Sequence, residues 1–147
     1  MCTVSYLPLT GKGFIITSTR DEKSIRKPAL PPEKYDVHGG PVFFPRDTDA
    51  GGTWISFSPG GFTLCLLNGG FFIHESNPPY RRSRGLVLLD FYLYNNVVGF
   101  RDRYDFEGIE PFTLLIRNFG GDARDKFDPQ FDEIRWDGEQ VHHTQLN

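Results

Sequence analysis

Residues 50–70 read AGGTWISFSPGGFTLCLLNGG, and the architecture follows from how this stretch is divided. It holds two β-prone runs around a Pro59-Gly60-Gly61 turn. The second run, FTLCLL, is almost continuously apolar, so it reads as an inner strand buried on both faces. Asn68 and the Gly69-Gly70 pair end it abruptly. Working outward, PVFFP upstream and FTLLIRNF, FDEIRW and QVHHTQL downstream are further strand-like pieces joined by Gly- and Asp-rich turns. TVSYLPL and GFIITST form a hairpin around TGKG. Residues 23–40, containing RKPALPPEKYDVHGG, are broken by three prolines and two glycines and read as irregular. SRGLVLLDFYLYNN, starting at Ser83, has apolar residues at Leu86, Leu89 and Leu93 and at Val87, Phe91 and Tyr94, the spacing of a largely buried helix. One helix and about seven strands make an α+β fold with an antiparallel sheet.

A chain of 147 residues needs only one domain. Its 14 Phe and 6 Tyr point to rings as a large part of the buried area. With 16 Lys+Arg against 19 Asp+Glu, the net charge is −3, which offers no general attraction to phosphate backbones or anionic lipid. Neither nucleic acid nor a membrane span is expected, because no apolar run approaches the length of a span and the start MCTVSYLPL lacks the pattern of a secretory signal. Two cysteines, Cys2 and Cys65, are too few for a disulfide scaffold, and a cytoplasmic location follows as the default.

Cys2 becomes the first residue if Met1 is removed, a trimming that a small second residue favours. Its α-amine, with a reference pKa of about 7.7–8, could then accept the thiol proton. The first hairpin brings the chain back at Arg20-Asp21, so a guanidinium would stand beside the sulfur and favour thiolate, while Asp21 would orient the amine. One residue supplies both nucleophile and base. Asn68, before two glycines that let a substrate approach the backbone, is the candidate oxyanion donor. Each of these residues also has an ordinary role, as surface ion pair or turn former.

In order and spacing, MC at the start, TRDE after the hairpin, AGGTWISFSPGGFTLCLLN and RRSRGLVLLDF resemble the NRDE family, also called the transport and Golgi organisation family. The resemblance covers most of residues 1–100. It implies a branch of the N-terminal-nucleophile hydrolases: a sandwich whose complete form is α/β/β/α, and amide cleavage by an N-terminal cysteine. Carried over by motif, it implies Cys2 as nucleophile, Arg20 and Asp21 as its neighbours and Asn68 as oxyanion donor. The family's Asn before the Arg is Thr19 here. Members of the family usually run longer, so residues 1–147 read as a single domain that is either a reduced member or short of its C-terminal part. A sandwich lacking a layer would expose an apolar sheet face and favour homo-oligomers.

The expected substrate is a nonpeptidic amide or a thioester, held by Trp54, Arg82 and Arg84. Trp54 and the glycines of AGGTW suit a tight turn anchored by a buried ring, with Gly51 and Gly52 also able to line a pocket. YRRSRG reads either as a solvated loop with Ser83 as helix cap or as an anion site made by Arg81, Arg82, Arg84 and helix N–H groups. Cys65 reads as a core thiol. His142 and His143 alternate in direction on a strand, and His38 and His74 are isolated, so no metal site and no cofactor are expected. The rival reading is a non-enzymatic carrier of a hydrophobic ligand such as haem or lipid, because eukaryotic relatives implied by the resemblance are linked to membrane trafficking, haem movement and lipid homeostasis.

Overall fold

The computed structural model describes residues 2–10, 13–20, 25–120 and 130–146. Seven strands form one antiparallel meander in chain order: β3 (Leu30–Val37), β4 (Gly40–Arg46), β5 (Ile55–Ser58), β6 (Phe62–Asn68), β7 (Phe112–Asn118), β8 (Phe131–Trp136) and β9 (Val141–Leu146). A separate two-stranded ribbon, β1 (Thr3–Pro8) with β2 (Phe14–Thr19), stands against one face of this sheet. Tyr6 meets Phe131 at 4.6 Å, and the Arg117 guanidinium lies 5.6 Å from both Tyr6 and Phe14. The opposite face carries α1 (Arg84–Asp90), a 3-10 turn (Phe91–Leu93) and α2 (Val97–Arg103). The fold is therefore α+β, mostly antiparallel β with short helices among the described residues.

The apolar run of β6 explains the stacking. Phe62, Leu64 and Leu66 face the helices, where they join Leu114, Ile116 and Ile134 and bury Val87, Leu88, Phe91 and Phe100. Thr63 and Cys65 face the other way, and both are buried. The edge-on contact of Phe62 with Phe91, centroids 5.1 Å apart, is one of a chain of ring pairs that fills this side. Beyond the ribbon, no other described element covers this face, and Phe43 is 39% and Phe57 44% exposed.

Two corrections come from local chemistry. The stretch read as irregular over residues 23–40 contains β3, which holds Pro31 and Pro32 because it is the sheet's edge strand, where a missing N–H leaves no inner ladder bond unmade. It turns into β4 through His38 and Gly39, with φ of 52° and 84°, the twist of a type I′ hairpin. The single helix expected from Ser83 ends as α1 and the 3-10 turn, and a second helix follows. Asn95 takes the left-handed conformation, φ 46°, and the side chain of Asn96 accepts from the Gly99 N–H at 2.7 Å, capping α2.

Candidate active site

The ribbon's register pairs Thr3 with Thr19, so the residues just outside that pair, Cys2 and Arg20, come to the same end. Thr19 ties this end: its hydroxyl accepts from the Thr3 N–H at 3.2 Å and reaches the Thr3 carbonyl at 3.4 Å. Cys2 is half-buried and a free thiol. It lines a cavity of about 310 Å³ together with Arg20, Trp54, Asn68, Arg82 and Arg84. Six of the seven residues picked from the sequence are thus gathered around one space. Asp21, the seventh, and Met1 lie outside the described residues.

Arg20 is held on two sides. Its guanidinium lies 4.1 Å above the Trp54 ring and donates to Asp47 Oδ2 at 3.0 Å. Trp54 is half-buried and lines the cavity, so the ring read as the buried anchor of the turn is open on the cavity side. Asp47 also takes Arg26 at 3.4 Å on Oδ2 and the Asp49 and Ala50 N–H groups on Oδ1. Burial opposes its ionisation, but the Ala50 amide, Arg20, the Asp49 amide and Arg26 together outweigh it and hold its carboxyl below the usual value. Sequence reading passed over Asp47. Its signal was an Asp leading the glycine-containing loop DTDAGG, where such a side chain can take up loop N–H groups.

Two glycines bring α1 to the site. A Cβ on Gly52 would lie 2.4 Å from the Gly85 carbonyl carbon, and one on Gly85 would lie 2.8 Å from the Thr53 carbonyl oxygen. That backbone contact, with Thr53 N–H donating to the Gly85 carbonyl at 3.2 Å, places Ser83 and Arg84 beside Trp54. Arg84 pairs with Glu110 at 3.1 Å and donates to the Pro111 carbonyl at 3.2 Å. Arg82 makes a two-toothed contact with buried Asp90, which also accepts from the Tyr104 hydroxyl at 2.8 Å. Burial, then the Asp90 carboxylate, pushes the Tyr104 phenol up, keeping it a donor.

The three arginines of YRRSRG do not converge on one anion. Arg81 turns away to the Asp105 and Glu107 carbonyls, and Arg82 and Arg84 each face a carboxylate. Ser83 occupies the cap position of α1, and its carbonyl accepts from Leu86 and Val87, yet its side chain makes no capping bond. Its Oγ is buried without a partner among the described residues.

Asn68 closes β6 and lines the cavity, its side-chain amide making no hydrogen bond among the described residues. Gly69, with φ 93°, turns the chain there, and its N–H and carbonyl are taken by Pro111 and the Thr113 hydroxyl. Cys65 sits in the core behind Cys2: burial pushes its thiol up, the neighbouring Cys2 adds to this, and a Ser18 hydrogen bond opposes it. His142 and His143 lie on opposite faces, with Asp137 and Asp132 respectively. Among the described residues no three His, Cys, Asp or Glu side chains stand close enough to hold a metal ion, and no helix is long and apolar enough to cross a membrane. No protein-family model, no curated protein and no solved structure matches the chain.

Proposed function

We propose that this protein is a cysteine hydrolase of the N-terminal-nucleophile type, related to the NRDE family, that transfers the acyl group of a nonpeptidic amide or thioester to Cys2. The observation that carries the reading is the ribbon register, which sets Cys2 and Arg20 at one end and opens them into a cavity shared with Asn68. With Met1 removed, the Cys2 α-amine takes the thiol proton, directly or through a water, and the sulfur attacks the acyl carbon. Arg20, fixed between Trp54 and Asp47, lines the cavity into which Cys2 opens. The uncommitted Asn68 amide donates to the oxyanion. The stacking of helices, seven-stranded sheet and β-ribbon supports the sandwich reading, and two free thiols suit a reducing, cytoplasmic setting.

The experiment is trapping with a panel of acyl p-nitroanilides and acyl thioesters, read by intact mass. The expected result is one acyl group on Cys2 of a chain lacking Met1, with turnover lost in Cys2→Ala while its circular dichroism is kept. A Cys2→Ala protein that still turns over the same substrate would remove the mechanism.

A second reading, a carrier of a flat or greasy ligand, has its own support. An apolar groove of about 800 Å³ runs between β2 and the sheet, walled by Phe14, Phe43, Phe57 and Phe119. Haem or fatty-acid titration decides it: micromolar binding lost in Phe57→Lys, in protein that keeps Met1, favours the carrier.

A further inference from the structure

Cys2 and Asn68 line a second cavity, of about 550 Å³, on the side away from Trp54. It is framed by the start of β1, with Val4, and by residues of two cross-strand rows of the sheet: Leu67, Thr113 and Arg135, then Leu115 and Glu133. A nucleophile set between two cavities divides its substrate at the bond it attacks, one part lying on each side.

The polar groups of the two sides differ in what they leave open. On the Trp54 side both oxygens of each carboxylate are engaged: Asp47 by Arg20 and Arg26 and by two backbone amides, Glu110 by Arg84 and His74. On the far side Glu133 gives only Oε2, to Arg135 at 2.8 Å, and Oε1 has no partner among the described residues. Arg135 holds its place by lying 4.4 Å from the Phe71 ring, with its buried Nε unpartnered. Among the described residues that line the two cavities, the carboxylate oxygen available to an ammonium is therefore that of Glu133.

Resting on the hydrolase reading above, we infer that the second cavity is a leaving-group subsite for a primary amine, with Glu133 as its specificity residue, so that the substrate is an amide rather than a thioester. As the bond from Cys2 sulfur to the acyl carbon forms and the C–N bond breaks, the proton taken up by the α-amine passes to the departing nitrogen. The free amine then gains a proton from water and rests as an ammonium against Glu133. Water hydrolyses the thioester and restores the thiol.

Charge-selective labelling tests this without a known substrate. Cys2 of the Met1-free protein is treated with 2-aminoethyl methanethiosulfonate and with its neutral ethyl analogue; each forms a mixed disulfide and releases methanesulfinate, and rates are read by mass on the Cys2 peptide. The ratio of ammonium to neutral rate should fall roughly fivefold in Glu133→Gln, as expected for one close charge contact in a high dielectric. It should rise in Arg135→Gln, which frees the second Glu133 oxygen, and this opposite sign keeps the test meaningful if one variant folds poorly. A reactive Cys2 whose ratio is unchanged in both variants overturns the subsite and leaves the hydrolase reading standing. A Cys2 no faster with the neutral reagent than an N-terminal cysteine peptide overturns both.

Discussion

At the scale of single residues, the site depends on Asp47 as much as on the residues that motifs select. Its two oxygens gather two arginines and two backbone amides, so one carboxylate fixes both the Arg20 guanidinium and the 47–50 turn. Asp47→Asn should cost about 1–3 kcal/mol, measured by urea denaturation at neutral pH. Because the folded state holds this carboxyl below its ordinary value of 3.8, its contribution is complete above that pH and is lost as the pH falls through the lower folded-state value. The stability gap between the wild type and Asp47→Asn should therefore close in strong acid and stay constant from pH 6 to 8. Asn68→Ala bears on chemistry instead. If its amide meets the oxyanion, kcat should drop about 10²–10³-fold with stability little changed, since the side chain is exposed and makes no internal bond.

At the scale of elements, the decisive contact is between the 50–54 loop and the start of α1, where Gly52 and Gly85 let two backbones touch. A methyl group at either position meets backbone atoms that cannot move aside like a flexible side chain. Gly52→Ala and Gly85→Ala should each destabilise by about 1–3 kcal/mol, seen as a lower thermal midpoint. Both should also slow Cys2 alkylation by shifting Arg84 and Trp54. The ribbon behaves differently: it meets the sheet through side chains, such as Tyr6 with Phe131 and Arg117 with Phe14, and among the described residues it shares no backbone ladder with it. Hydrogen exchange should accordingly be faster in β1 and β2 than in β6 and β7, which have ladder partners on both sides.

At the scale of the whole molecule, stability resides on the helix side of the sheet and the candidate chemistry at the end of the ribbon side. Leu114→Ala, at a fully buried position between β6 and β8, should cost about 2–5 kcal/mol by chemical denaturation. Each strand of the sheet pairs with the next one in chain order, so the strands could be read one at a time from short runs. The continuous apolar pattern of residues 62–67 identified an inner strand, and the TGKG turn predicted the pairing that juxtaposes Cys2 and Arg20. Residue types and their spacing carried that information, because strand burial and hairpin return follow from local pattern and turn chemistry.

Other features had no such local record. The prolines of β3 hide a strand that only its edge position permits. Trp54 was legible as a ring but not as a platform for Arg20, and Arg81 was legible as a cation but not as one turned toward residues 105–107. Glu133 and Arg135 come beside Cys2 through the register of β6, β7 and β8, across some 130 residues of chain. Sequence by itself determined most of the strand segments, β3 excepted, and that the first hairpin closes on Cys2; only the tertiary structure decided which charges share its two cavities, because burial partners and cross-strand rows are set by sheet packing, not by neighbours along the chain.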